Sequence, residues 1–247
     1  MIMAFVHEQS RKCLKSELDL CSVPPTQTNV GNGNWIEYHI LTSMGDDSPV
    51  EFEINGNGED YIDLANTMLY VRAKTSRMNN TNIADDAAVG PVNLFLHSMF
   101  SQVDISLNGT QVTISTNTYP YRAMIETLLS YGADAKQSHL TSALFCADQP
   151  ACMYAIDFAE ANRISGLYAR SRSIAASRSV DMMGRIHANM FFQDRYLLNE
   201  VHVKIKQVRS RNSFCLMAAN EFKVKINSAI MFVRKVKLSP SVFLASC

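Results

Sequence analysis

The stretch that decides the fold runs from Asn93 to Gly132 and reads NLFLHSMFSQVDISLNGTQVTISTNTYPYRAMIETLLSYG. In its centre, apolar residues alternate with polar ones on both sides of Asn108-Gly109, a pair that accepts the positive φ angles of a type I′ turn. This pattern predicts a β-hairpin whose apolar residues share one face, so that register and burial agree. The predicted pairs are Leu107–Thr110, Ile105–Val112 and Val103–Ile114.

A helix is predicted directly after this hairpin. Thr118 is suited to its N-terminal cap, Pro120 is suited to its first turn, and Gly132 ends it. Apolar residues recur between these limits at helical spacing, at Tyr121, Met124, Ile125, Leu128 and Leu129. A hairpin that continues into a helix is a scaffold, and this one carries no group of residues arranged for a reaction.

Alternating apolar and polar residues elsewhere predict further strands, roughly eight in all. They are Trp35–Leu41, Val50–Ile54, Met68–Thr75, a bent strand within Val180–Phe192, Val201–Lys206, Glu221–Ile226 and Ile230–Leu238. A weaker helix is predicted at Leu140–Phe145, and loops are predicted at Arg77–Gly90 and Arg163–Ser179. Half-buried strands with one or two helices inserted late favour an antiparallel sandwich over a parallel βα arrangement.

The composition is that of a folded globular protein, with 247 residues, of which 47% are hydrophobic and 19% charged. A formal net charge of zero gives no electrostatic argument for a nucleic-acid or membrane partner. The C-terminal part is nevertheless basic, since nine Lys and Arg face only Glu221 between Val201 and Pro240. That asymmetry has two explanations: a few charged loops and strand faces, or a basic side that orients the molecule within an assembly. No signal peptide or membrane-spanning run occurs, so we expect a soluble intracellular chain that is not secreted.

Residues that carry chemistry are scattered along the chain. The six cysteines are Cys13, Cys21, Cys146, Cys152, Cys215 and Cys247, and the six histidines are His7, His39, His97, His139, His187 and His202. No CxxC pair and no two histidines at metal-ligand spacing on one element are found, which is typical of free thiols and structural histidines. No nucleophile elbow, P-loop or Rossmann glycine pattern occurs either. We therefore expect no catalytic, cofactor-binding or metal-binding residue and no enzymatic activity.

Two local patterns have a functional alternative. The segment Asn55–Asp63 superficially resembles a calcium loop, but the required Gly falls on Asp60 and the bidentate Glu on Asn66, so a turn is predicted. The segment Arg163–Arg178 is rich in Arg and Ser and suits contact with nucleic acid. Tyr168 is the single aromatic residue of this segment, and aromatic residues do not alternate with its arginines for base stacking, which favours a solvated loop.

Six blocks of the chain, in order, resemble the major capsid protein of Polinton/Maverick-type elements and adintovirus-like DNA viruses. The blocks are KSELDLCSVPPTQTNV (Lys15–Val30), EDYIDLANTMLYVRAK (Glu59–Lys74), VNLFLHSMFSQVDISLNGT (Val92–Thr110), NTYPYRAMIETLLSYG (Asn117–Gly132), GRIHANMFFQDRYLLNEVHVKIKQVRS (Gly184–Ser210) and FVRKVKLSP (Phe232–Pro240). The resemblance implies a mainly β, antiparallel double jelly-roll capsid protein, similar in design to the adenovirus hexon, that trimerises into capsomers. It also implies a place in the virion, beside neighbouring capsomers and a penton protein, and it carries over no catalytic residue.

The resemblance implies a division of the chain. Residues 1–30 are expected to form an arm, residues 31–240 the first jelly roll, and residues 241–247 the truncated start of a link to a missing second jelly roll. The family continues beyond Phe232–Pro240, which suggests a truncated, frameshifted or decayed copy, and Cys21 stands where an aromatic residue is expected. Two alternatives are a single jelly-roll, penton-type minor capsid protein and a stand-alone β-sandwich binding module, and a hydrolase is the weakest.

The sandwich prediction specifies which residues are inside. We expect Ile105, Val112, Val203, Ile205, Val224 and Ile226 in the core. If a second jelly roll is missing, apolar residues that it would cover should remain exposed, and the chain should aggregate or form ill-defined oligomers. The candidates are Met190, Phe191, Phe192, Met231, Val233, Val242, Phe243 and Leu244.

Overall fold

The structure is a computed structural model and describes residues 30–41, 45, 48–56, 58, 60–150, 153, 165–218 and 222–239. The strands in these ranges are β1 (Val30–His39), β2 (Val50–Ile54), β3 (Asp60–Arg77), β4 (Val89–Pro91), β5 (Phe100–Leu107), β6 (Thr110–Gln111), β7 (Ser179–Arg185), β8 (Val203–Arg209), β9 (Leu216–Ala218) and β10 (Phe222–Leu238). The α-helices are α1 (Phe95–Ser98), α2 (Tyr119–Ser130), α3 (Ala133–Gln137), α4 (Gly166–Ile174) and α5 (Asn212–Cys215). Short 3-10 turns include His139–Ala143 and Asn189–Phe192.

Eight of these strands form two four-stranded sheets, in the orders β1-β10-β3-β7 and β2-β8-β5-β6, and β4 pairs separately with β9. Every pairing is antiparallel, and within the two large sheets only β5 and β6 are consecutive in the chain. Two antiparallel sheets of four strands with long crossovers between them form a jelly roll. The predicted antiparallel jelly-roll sandwich is therefore confirmed, and α2 and α4 are its two longer inserted helices.

The core lies between the inner faces of the two large sheets. Five of the six predicted core residues are buried there, namely Ile105, Val203, Ile205, Val224 and Ile226. The sixth prediction, Val112, is wrong, because 47% of this residue is exposed.

The structure shows why the hairpin ends early. Its turn has positive φ at Asn108 (46°) and Gly109 (81°), as predicted, and Leu107 pairs with Thr110. Ile105 N–H then donates to Thr113 Oγ1 over 2.8 Å instead of to a backbone carbonyl, and the chain leaves the sheet edge to begin α2. The predicted Val103–Ile114 pair is therefore absent, and Ile114 is 86% exposed.

Several predicted boundaries are corrected. The two strands predicted at the C-terminal end are one strand, β10, whose register against β3 shifts between Ile226 and Ser228 and again between Phe232 and Arg234. These shifts are β-bulges, which let one long strand twist without breaking. The loop predicted over Arg163–Ser179 contains α4, whose first turn is capped by Ser165 Oγ accepting from Tyr168 N–H over 3.1 Å.

Candidate interaction surfaces

An uncharged apolar surface lies along the outside of α2. The exposed fractions are 58% for Tyr121, 55% for Ile125, 52% for Leu128 and 82% for Leu129. We call these four residues the α2 outer face. Tyr121, Ile125 and Leu128 follow one another at three or four positions along one side of the helix, and Leu129 comes directly after Leu128. The charged residues of α2, Arg122 and Glu126, are half-buried and bonded to each other. The side chains of the outer face are therefore uncharged, and at its C-terminal end Lys136 Nζ donates to the carbonyl oxygen of Leu128 over 3.0 Å.

The apolar period in the sequence located α2 but did not show which side is buried. The buried side consists of Tyr119, Pro120, Ala123 and Thr127, most of which are smaller than the residues outside. The helix lies close to β5 and α1, where small side chains allow close packing. The larger apolar residues consequently remain on the outside, which is the arrangement expected of a surface that contacts another protein.

Beneath α2, two histidines from different elements come together. His97 Nδ1 lies 2.9 Å from Tyr119 Oη, and the ring of His97 meets that of His187 with centroids 4.6 Å apart. Burial lowers the pKa of His97 well below its ordinary value, and the nearby His187 adds to this effect. Burial also raises the pKa of Tyr119, which therefore stays a neutral hydrogen-bonding group.

The same cluster continues toward the surface through charged residues. His187 Nδ1 lies 2.8 Å from Glu126 Oε2. Arg122 Nε donates to Glu126 Oε1 over 2.7 Å, and Arg122 Nη2 donates to Asn189 Oδ1 over 2.6 Å. Burial lowers the pKa of His187, although Glu126 opposes the shift. The network joins α2 to the connection that follows β7, so its role is to hold the helix on the sandwich. Sequence spacing could not reveal it, because His97 and His187 lie on separate elements.

Of the arginines suggested for nucleic-acid contact, Arg170, Arg172 and Arg178 are bonded within the molecule, and Arg163 lies outside the described residues. Arg170 is buried, donates to the carbonyl oxygens of Pro91 and Cys146 over 2.9 Å each, and forms an ion pair with Asp148 at 2.9 Å. Arg172 pairs with Asp85 at 3.0 Å on the surface. This segment is therefore a structural clamp between α4, β4 and the chain around Cys146.

The structure describes the calcium-like segment except for Asn57 and Glu59, which lie outside the described residues. Strand β3 begins at Asp60, so the C-terminal part of Asn55–Asp63 is extended rather than looped. The carboxylate of Asp63 accepts a hydrogen bond from Asn66 Nδ2 over 2.8 Å and pairs with Arg234 at 3.4 Å. Within the described ranges, no group of three or more His, Cys, Asp or Glu residues is arranged to hold a metal ion.

Two cysteines fall within the described residues, and both are free thiols. Burial raises the pKa of Cys215 to about 12 and also raises that of Cys146. Both thiols are therefore protonated at neutral pH and unreactive as nucleophiles. Cys13, Cys21, Cys152 and Cys247 lie outside the described residues.

The surface predicted for a missing jelly roll is largely wrong. Phe191, Met231 and Val233 are fully buried, because they face the core from the turn after β7 and from β10. Phe192 is 38% exposed, and Met190 is half-buried. Val242, Phe243 and Leu244 lie outside the described residues. The exposed apolar surface lies on α2 instead.

In the described part of the chain, no helix has the length and apolar character needed to span a membrane.

Comparisons with known proteins agree with this architecture. No protein-family model matches the chain. An uncharacterized protein of Caenorhabditis elegans is 25% identical over 229 residues, which are 88% of this chain and 52% of that protein. The cryo-EM structure of the Sputnik virophage matches with a TM-score of 0.56 and 12% identity, over 97% of this chain and 55% of the other.

A second structural match is PBCV-1 VP54, whose crystal structure was fitted into a reconstruction of Sputnik. It has a TM-score of 0.55 and 12% identity, over 92% of this chain and 46% of that one. This chain thus spans about half the length of the proteins that it matches. A similar match is found to the PBCV-1 virus capsid, with a TM-score of 0.53. The chain therefore has the jelly-roll fold found in these virus capsid structures.

Proposed function

We propose that this chain is a structural capsid protein, the N-terminal jelly roll of a hexon-like major capsid protein that trimerises into capsomers. The observation that carries the proposal is the pair of four-stranded sheets with the orders β1-β10-β3-β7 and β2-β8-β5-β6, the fold shared with the capsid structures. A shell subunit works through its shape and its contacts with neighbours, so the function needs no catalytic group. Its place is the virion capsid.

The α2 outer face is the surface that we assign to self-association, and its occupant is a second copy of this jelly roll. An uncharged surface is complementary to another uncharged surface, whereas a charged partner would lose hydration without gaining a counter-charge. A stable interface takes about 800 Å² from each partner, and four large side chains that are more than half exposed supply on the order of half of this. The polar surroundings of α2 would form the rim.

The domain assignments belong to the same proposal. Residues 1–30 serve as an arm, residues 31–240 form the jelly roll, and residues 241–247 begin a link to a second jelly roll. Contacts with neighbouring capsomers and with a penton protein follow from the place in the shell. Reading the genomic DNA beyond the codon for Cys247 tests the assignment of the link.

Sedimentation velocity tests the assigned surface. We expect the chain to associate with rising concentration, and the double variant Leu128→Glu/Leu129→Glu to remain monomeric because two charges would be buried. The matched control is Leu41→Glu/Leu198→Glu, which alters two leucines of similar exposure (58% and 63%) outside α2. This control should associate like the unaltered chain. A wild-type chain that stays monodisperse and monomeric would contradict the proposal and favour the penton-type alternative.

A further inference from the structure

A second surface feature is a cavity of about 600 Å³ between the N-terminal end of α2 and the segment that joins β8 to α5. The residues that matter in its lining are Tyr121, Arg209, Ser210, Arg211 and Phe214. The charged residues in this lining are Arg209 and Arg211, and no carboxylate residue lines the cavity among the described residues. The cavity is therefore positively charged within a protein whose net charge is zero.

The two arginines are suited to an oxyanion. Arg209 is half-buried and one arm of its guanidinium donates to the carbonyl oxygen of Val224 over 3.0 Å, which fixes its orientation. Arg211 is exposed at the rim. A guanidinium presents several N–H donors in a planar fork that matches the oxygens of a phosphate group.

The wall of the cavity also includes Ser210 and the N-terminal end of α2. Ser210 Oγ has less than 1 Å² of accessible surface and no hydrogen-bond partner among the described residues, so it lies behind the wall and does not reach a ligand. Asn117 and Pro120 also line the cavity, which places the positive end of the α2 dipole beside it.

An aromatic pair borders the same cavity. The rings of Tyr121 and Phe214 meet edge to face with centroids 5.7 Å apart, and Tyr121 is 58% exposed. An exposed aromatic ring beside arginines is the combination with which proteins bind single-stranded nucleic acid, because each base can stack on the ring while the phosphate meets the cation. The arginines of α4 differ from those of the cavity, because Arg170 and Arg172 are paired with Asp148 and Asp85.

We propose that this cavity binds one nucleotide unit of single-stranded nucleic acid without sequence preference. Arg209 and Arg211 hold the phosphate group, and Tyr121 stacks on the base. Both arginines belong to the basic C-terminal part of the sequence, so two of its positive charges contribute to this binding site. The site shares Tyr121 with the α2 outer face, so a nucleotide and a second copy of the chain compete for this side chain, whereas Leu128 and Leu129 lie outside the cavity.

Fluorescence anisotropy with a labelled oligodeoxythymidylate of about twelve nucleotides tests the proposal. We expect the 247-residue chain to bind at low salt and Arg211→Gln to weaken binding and reduce the salt slope by about one. Tyr121→Ala should weaken binding about tenfold through lost stacking.

The matched control is Lys225→Gln, which removes the same charge from an exposed lysine outside the cavity. It should bind like the wild type, and an equal loss in Lys225→Gln and Arg211→Gln would overturn the site in favour of overall charge. Thymidine monophosphate should compete at lower concentration than inorganic phosphate because the base adds stacking. Equal competition by the two, or no binding of the oligonucleotide by the wild type, would also overturn the proposal.

Discussion

His97 and His187 meet edge to face beneath α2, with ring centroids 4.6 Å apart and planes at 89°. Tyr119 and Glu126 face the pair from α2 as hydrogen-bond partners. Arg122 on α2 and Arg185 on β7 are the nearby cations, and both lower the pKa of His187. Two rings this close and this buried are compatible with the fold only while both are neutral.

The first prediction is that acid weakens the fold through this pair. The folded pKa of each histidine lies below 6.5, so the unfolded chain takes up protons first as the pH falls. Stability is therefore complete above pH 6.5 and is lost as the pH falls from there toward the folded pKa values, by at most about 1.4 kcal/mol per pH unit for each histidine. Urea unfolding at a series of pH values between about 7.5 and 5 measures this slope.

A double variant separates the pair from other titrating groups. His97→Phe/Tyr119→Phe removes both partners of one buried hydrogen bond at similar volume, and it should make the slope shallower. His39→Asn alters an exposed histidine and should leave the slope as it is. Protonation of Glu51 also weakens the fold in acid, because hydrogen bonding from Lys204 lowers the pKa of this carboxyl, but it occurs at lower pH, since glutamate ordinarily titrates near 4.5. Equal slopes in the wild type and the double variant would disprove the assignment.

The second prediction concerns Arg170. Replacing it with Met should lower the free energy of unfolding by about 3–5 kcal/mol, because the variant leaves Asp148 and two carbonyl oxygens without their partner in a buried site. Urea denaturation measures the change. Arg172→Met, on the same helix but in an exposed pair with Asp85, serves as the control and should have little effect. Similar losses in both variants would show that the clamp is not the cause.

The third prediction tests the hairpin turn. Replacing Asn108-Gly109 with Val-Val should cost about 1–3 kcal/mol, since β-branched residues resist the positive φ angles of 46° and 81° found there. The change also removes Asn108 Oδ1, which accepts from His202 N–H over 2.8 Å. Thr110→Val, at an extended position of the same hairpin, should be close to neutral. An unchanged melting temperature in the Val-Val variant would count against the turn.

Features set by residues close together in the sequence could be predicted, and features set by residues far apart in the sequence could not. The Asn108-Gly109 turn and the strand alternation are local signals, so the turn, the Leu107–Thr110 pair and five core positions are predicted correctly, whereas the Val103–Ile114 pair and the burial of Val112 are not. The buried side of α2 depends on the close approach of α1 and β5, which no helical period encodes. The clamp at Arg170 depends on residues from three parts of the chain, and a run of Arg and Ser resembles a solvated loop until those partners are known.

The cavity shows the same limit. Its aromatic wall and its arginines come from α2, β8 and α5, so the sequence presents the cations and the rings far apart. The sequence shows that the C-terminal part is basic, but it does not show that two of these arginines border a cavity with an exposed aromatic ring. A stacking residue beside a basic segment has to be identified in space, because the fold rather than the sequence makes them neighbours.

The last prediction uses two glycines with opposite surroundings. A Cβ atom added at Gly56 would lie 2.4 Å from the carbonyl oxygen and 2.5 Å from the nitrogen of Val201, and backbone atoms cannot rotate away as a side chain can. Gly56→Ala should therefore displace the segment before β8 and lower the free energy of unfolding by about 1–3 kcal/mol. At Gly132 nothing lies within 4 Å of an added Cβ, and the backbone is extended with φ of −73°. Gly132→Ala should consequently be close to neutral, because restriction of the unfolded chain is offset by the weaker N-cap that Ala provides for α3. Thermal and urea unfolding of the two variants compare these effects directly. A Gly56→Ala variant as stable as Gly132→Ala would show that the backbone of Val201 does not approach residue 56 this closely.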